Sequence, residues 1–177
     1  NAPNKFMGSG MLPAGAYVTL EHEYILILRK GTKREFNKAE ERQNRRESAI
    51  FWEERNLWFS DVWMDVKGTG QELFKKATRS RSAAFPFEVA YRLINMFSVR
   101  GDTVLDPFLG TGTTTAAAMA CGRHSLGFEL DANLLDAVQQ MASEIVPFAN
   151  GYIQNRSRRH LDFVAERSTK KGPLKYA

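Results

Sequence analysis

The spacing of apolar positions changes several times along this 177-residue chain. Tyr17-Val18-Thr19-Leu20 and Tyr24-Ile25-Leu26-Ile27-Leu28 are β-rich runs on either side of Glu21-His22-Glu23, closed by Arg29-Lys30-Gly31, and they predict one or two strands of a buried sheet. Residues 32–55 lose that pattern. Alternating charge, as in Lys38-Ala39-Glu40-Glu41-Arg42 and Arg45-Arg46-Glu47, predicts a solvated helix or a mobile loop there. Aromatics return over residues 56–66 with Trp58, Phe59 and Trp63, and residues 67–82 read as a linker bearing Gly, Ser and Thr.

The second half is more regular. Phe87, Ala90, Tyr91, Ile94 and Phe97 recur at helical spacing behind Pro86, which suits a first turn, so Phe87 to Phe97 is expected to be a buried amphipathic helix. Gly101-Asp102 marks a turn. Thr103-Val104-Leu105-Asp106 then predicts a short strand, residues 107–112 a loop, Thr113 to Cys121 an Ala-rich helix stopped by Gly122, Ser125 to Glu129 a second strand, and Asn133 to Val146 another helix. That βαβα order with short connections is the pattern of a parallel sheet flanked by helices.

Composition narrows the class. A hydrophobic content of 43% suffices for one globular core, and the lone Cys121 cannot form an internal disulfide. No apolar run of membrane-spanning length and no leader-like segment is visible, so a soluble, cytoplasmic protein with no membrane contact is expected. The net charge of +5 resides in the tail: Arg156, Arg158, Arg159, Arg167, Lys170, Lys171 and Lys175 face only Asp162 and Glu166, and the rest of the chain balances. Such a tail is either a solvated terminal helix or a contact for a polyanion such as DNA.

Chemistry concentrates in Asp106-Pro107-Phe108-Leu109-Gly110-Thr111-Gly112-Thr113-Thr114. A strand ends in an acid, a glycine-bearing loop follows, and a helix opens on that loop. Gly110 and Gly112 allow backbone to approach a ligand where a Cβ would collide, and the free amides of a helix start favour an anionic group. A nicotinamide-cofactor fingerprint would place a third glycine at position 115, where Thr115 stands. Glu129, at the end of the second strand, sits where a ribose-binding carboxylate belongs. Plainer roles stand beside these: Asp106 as a cap of its own loop, Glu129 as an exposed acid, Trp52, Trp58 and Trp63 as core rather than base-stacking rings, and Cys121 as small packing. Glu21-His22-Glu23 has no second His or Cys at ligand spacing, so no metal is expected.

These residues resemble the C-terminal portion of β-type DNA amino-methyltransferases, the cytosine-N4 and adenine-N6 enzymes of restriction-modification systems. The likeness runs from Asp61-Val62-Trp63 through Ala83-Ala84-Phe85-Pro86, Arg92-Leu93-Ile94, Gly101-Asp102 and the 106–114 loop to Gly122-Arg123 and Gly127-Phe128-Glu129, with residues 19–26 resembling late strands that the family places earlier. It implies a doubly wound, Rossmann-like α/β methyltransferase sheet, incomplete in this chain, and S-adenosyl-L-methionine as cofactor. Position by position, Phe108, Gly110, Gly112 and Thr113 would surround the methionine part, with Asp106 beneath the loop or near the ammonium. Glu129 would take the ribose hydroxyls, Phe128 would flank the adenine, and Ala84, Phe85 and Pro86 would close the other side. Where the family often has His-Pro, this chain has Arg81-Ser82.

The resemblance also implies a methyl transfer to an exocyclic amine of a flipped base, leaning to cytosine N4 over adenine N6 on Phe85-Pro86 and the Asp-Pro-Phe loop. In the family, a Ser- or Asp-Pro-Pro-Tyr segment performs the transfer. Pro3, Pro13, Pro86, Pro107, Pro147 and Pro173 are nowhere adjacent, so that segment is expected upstream of Asn1, no catalytic residue is assigned within the chain, and the chain alone is expected to bind cofactor weakly and not to methylate. The implied organisation is residues 1–30 as a remnant of the catalytic half, 31–80 as a charged insertion with target-recognition character, 81–150 as the cofactor half and 151–177 as a basic tail. Duplex DNA is the implied partner, through Lys75, Lys76, Arg79 and Arg81 of the linker, with room for a cognate restriction endonuclease and a dimer. The rival is a catalytically empty DNA-binding or subunit module.

Overall fold

A computed structural model describes residues 22–66 and 85–172, and the chain divides into two units, residues 1–35 and 36–177. In the first unit, Tyr24 to Leu28 is exposed and forms no strand, contrary to the sequence pattern, and Tyr17 to Leu20 lie outside the described residues. A strand needs a neighbour to take its N–H and C=O groups, and none of the described residues pairs with this run.

The second unit is built around one β–α–β crossover. Thr103–Asp106 (β1) and His124–Gly127 (β2) pair in parallel, Thr103 opposite His124 and Asp106 opposite Gly127, and Thr113–Ala120 (α4) connects them. Ala39–Glu47 (α1), Trp52–Trp58 (α2) and Phe87–Phe97 (α3) precede this crossover; a short 3-10 turn, Ala132–Leu134, and Leu135–Lys171 (α5) follow it. The alanines of α4 are the reason that neighbours approach it so closely. Ala116, Ala117 and Ala118 are fully buried, and α3 lays Ala90, Tyr91 and Ile94 into the same core as Met141, Ile145 and Ala149 of α5. Burying Tyr91, Met141 and Ile145 contributes roughly 1.5–3 kcal/mol apiece.

Helix starts follow their local chemistry. The Glu41 carboxylate accepts the N–H of Lys38 at 3.1 Å and of Asn37 at 3.0 Å, and Glu54 accepts that of Phe51 at 3.3 Å, so both short helices are capped by their own acids. The charged stretch 32–55 therefore contains α1 and the start of α2, which ends at Trp58.

Buried charge joins the helices. Arg92 on α3, 3% exposed, donates to Glu88 at 2.7 Å and to both carboxylate oxygens of Asp65, with Trp63 lying 5.2 Å from its guanidinium. Arg123 donates to the Ser98 hydroxyl and carbonyl and to the Cys121 carbonyl, tying the turn before β1 to the turn before β2. The expected helix ending at Val146 continues to Lys171 through Pro147. Its distal turns are held by partners in α2: Arg156 pairs with Glu54, His160 with Glu53 at 2.8 Å, and Phe163 stacks on Trp52. That continuation removes Arg156 from the free basic tail that the charge distribution suggested. Trp58, 3% exposed, is core. Among the described residues no helix is long and apolar enough to cross a membrane.

Candidate functional site

The C-terminal edge of the two strands assembles the loop and the acid. Pairing continues past β1 and β2: Phe128 N–H donates to the Asp106 carbonyl at 2.9 Å, and Leu109 N–H donates to the Phe128 carbonyl at 2.8 Å. The loop that leaves β1 is thereby bonded alongside the residues that leave β2. Gly127 makes this approach feasible, because a Cβ there would lie 2.6 Å from Leu109 Cδ1.

Glu129 closes the arrangement. Its Oε2 accepts the Gly110 N–H at 2.8 Å, and its Oε1 accepts those of Leu130 and Asp131, each at 2.8 Å. These charge-assisted bonds, with the Asp131 amide foremost, then Gly110 and Leu130, hold the carboxyl below its ordinary pKa of 4.5. Glu129 itself is exposed, as are Phe108 at 87% and Phe128 at 58%, so two rings and a carboxylate stand open to solvent at one edge.

Beneath the loop, Gly112 has φ +87° and caps α4; a Cβ on it would meet Met141 Cε at 2.6 Å. Thr113 begins α4 and is buried, and the first N–H groups of that helix have no earlier helical carbonyl to bond. Asp106 accepts the Phe108 N–H at 3.0 Å and so caps the loop that follows it. Thr115, in place of a third glycine, shares a 2.8 Å hydrogen bond with Ser125 of β2. The helix and strand are thus linked by hydroxyls at the point where a dinucleotide fold would press them together through glycine.

Of the residues singled out in the sequence, the structure brings Asp106, Phe108, Gly110, Gly112, Thr113, Phe128 and Glu129 to this edge. Phe85 and Pro86 stand at the start of α3 and share no hydrogen bond with the loop or Glu129 among the described residues. Ala84 and the basic residues Lys75, Lys76, Arg79 and Arg81 lie outside the described residues. Sequence reasoning missed Leu130 and Asp131, whose amides both donate to Glu129 Oε1. An Asp-x-Asn signal was present for that turn: Asp131 accepts the Asn133 N–H at 3.0 Å.

Comparison with known proteins follows the same residues. A family model described as DNA methylase, of the N6/N4 type, matches residues 3–140. The chain is 57% identical over 170 residues to the type II methyltransferase M.MthZI of Methanothermobacter thermautotrophicus, covering 96% of this chain and 48% of that protein. It is 49% identical over 140 residues to the type II methyltransferase M.MjaI of Methanocaldococcus jannaschii, covering 79% and 45%. The chain thus spans about half the length of the curated relatives it matches. Among solved structures, TTHA0409 of Thermus thermophilus, assigned as a DNA modification methylase and crystallised with S-adenosyl-L-methionine, superposes with a TM-score of 0.61 at 36% identity, over 78% of this chain and 50% of that one.

Proposed function

The chain belongs to the DNA methylase family of the N6/N4 type and has part of its Rossmann-like α/β fold, and on that premise we propose that the edge formed by the 106–113 loop and Glu129 holds S-adenosyl-L-methionine for methyl transfer to an exocyclic amine of a DNA base. The observation that carries this reading is the 2.8 Å bond between Glu129 and Gly110, which puts a ribose-competent carboxylate beside the glycine loop after β1.

The residues suit the group. S-adenosyl-L-methionine offers ribose hydroxyls, which need acceptors, a carboxylate, which needs donors, and an adenine ring, which needs apolar surface. Glu129 supplies the acceptor, the loop and the first turn of α4 supply N–H groups, Phe128 supplies an exposed ring for the adenine, and Phe108 supplies one beside the methionine part. Gly110 leaves space for approach: a Cβ there would have no atom nearer than the Phe108 carbonyl oxygen at 4.0 Å. When bound, the cofactor brings an already activated methyl group, so no metal or covalent nucleophile is required of the chain. The chain's own work is to bind and orient.

Duplex DNA is the proposed substrate of the whole protein, with cytosine N4 as the target amine on the combination of Phe85-Pro86 and the Asp-Pro-Phe loop, and adenine N6 as the second reading. Calorimetric titration of S-adenosyl-L-methionine into the wild type and Glu129→Ala tests the core of this: a loss of roughly 10- to 100-fold in affinity is expected, as for hydrogen bonds to a charged group. Equal affinity in both proteins overturns the ribose assignment. Mass spectrometry of nucleosides from DNA modified by the full-length protein identifies the amine.

A further inference from the structure

The bonds already made by Glu129 limit what else it can hold. A carboxylate presents about four acceptor positions. Three backbone N–H groups occupy Glu129: Leu130 and Asp131 on Oε1, Gly110 on Oε2. One position is left, while a ribose diol presents two hydroxyls. Capture of both hydroxyls therefore competes with one of the backbone donors.

The three donors are not equivalent. Leu130 and Asp131 belong to the turn that leaves Glu129, and this turn is fixed further by the Asp131 bonds to Asn133 and by the Leu134 N–H on the Asp131 carbonyl at 3.0 Å. Gly110 comes from nineteen residues away, half-buried ahead of the buried Thr111 and Gly112, at φ +55° and with open space around its α-carbon. It lies within the turn closed by the Gly112 N–H on the Leu109 carbonyl at 2.9 Å, and it is the one donor of the three that is not joined to Glu129 by the chain itself.

We propose that Glu129 is a latch: it holds the Gly110 amide in the ligand-free protein and releases it when the carboxylate captures the cofactor's ribose diol. The inference rests on the cofactor reading above and deepens it. Release also leaves the Gly110 N–H seeking an acceptor, so ribose capture turns a loop donor that was internally satisfied into one available to an anionic group of the same ligand. Glu129 then acts on the loop as a positioning residue in addition to contacting the ribose. The lowered pKa of its carboxyl agrees with a carboxylate that already accepts three backbone N–H groups.

Amide exchange at Gly110, read by NMR on the isotope-labelled full chain, tests this without reference to activity. In the ligand-free state, Glu129→Ala should accelerate Gly110 exchange by about 10-fold, the loss of one charge-assisted bond. Glu129→Gln should do the same, because its carbonyl can serve Leu130 and Asp131 only by turning its NH2 towards Gly110. Unchanged spectra elsewhere show that both variants fold, as the exposure of Glu129 leads one to expect. Saturating S-adenosylhomocysteine should shift the wild-type Gly110 resonance and abolish the Glu129-dependent protection, whereas the 2′,3′-dideoxy analogue should leave Gly110 as in the ligand-free protein. Equal Gly110 exchange in wild type and both variants overturns the latch. Binding of S-adenosylhomocysteine with Gly110 still protected by Glu129 overturns the coupling alone. Failure of both ligands to bind, with Glu129 still protecting Gly110, overturns the cofactor reading and the ribose coupling with it.

Discussion

Arg156 and Glu54 stand 102 residues apart in the chain and form a two-pronged ion pair, Nε to Oε1 at 2.6 Å and Nη2 to Oε2 at 2.7 Å. Both side chains are mostly buried, and the guanidinium also lies 4.6 Å from the Phe51 ring. Arg156→Ala would strand Glu54 without its partner, so a loss of about 3 kcal/mol in unfolding free energy is expected, measurable by urea denaturation. Arg158→Ala, on the exposed face, should change stability by less than about 0.5 kcal/mol.

The two loop glycines should separate stability from binding. Gly112→Ala forces a left-handed φ on an alanine and displaces the Met141 methyl, and should cost about 2 kcal/mol of stability. Gly110→Ala meets no neighbour and should cost about 1 kcal/mol through φ alone, while lowering cofactor affinity by crowding the open side of the loop. Thermal melts and calorimetric titration of the two variants should therefore rank them in opposite orders.

Cys121 is buried at the end of α4, its thiol pushed up to about 11 mainly by burial, and it accepts a 3.0 Å bond from Asn95. The native protein should resist aromatic disulfide reagents at neutral pH and react with one equivalent only once unfolded. Prompt reaction in the native state would show that this edge of the core opens.

The pH dependence of the Glu129 bonds has a fixed sign. Its folded pKa is depressed below 4.5, chiefly by the Asp131 and Gly110 amides, with the neighbouring Asp131 charge opposing. The bonds are in force at and above the ordinary value and are lost only as pH falls through the lower folded value. Gly110 protection should stay flat across neutral and mildly acidic pH and collapse only below 4.5, followed by exchange in the ligand-free chain.

Under the proposed function, in which a Ser- or Asp-Pro-Pro-Tyr segment performs the transfer, the 177-residue chain, whose six prolines are nowhere adjacent, should incorporate no label when incubated with duplex DNA and radiolabelled S-adenosyl-L-methionine. Incorporation above a heat-killed control would place the transfer chemistry within these residues.

The sequence by itself determined the β–α–β crossover, the glycine loop, the helix over Phe87–Phe97 and the acid after β2, since each is a matter of spacing over a few residues. Periodicity marks which face of an element is apolar, and glycine marks where backbone bends. Neither names a partner far along the chain. Only the tertiary structure decided that α5 runs on through Pro147, because Glu53 and Glu54 of α2 provide hydrogen-bond partners for His160 and Arg156. It alone decided that Tyr24 to Leu28 stays out of a strand, that Thr115 reaches Ser125 in place of a glycine contact, and that Glu129 accepts three backbone N–H groups. Hydrogen bonds and ion pairs choose their partners by distance in space, and that distance exists only once the core of α3, α4 and α5 has closed.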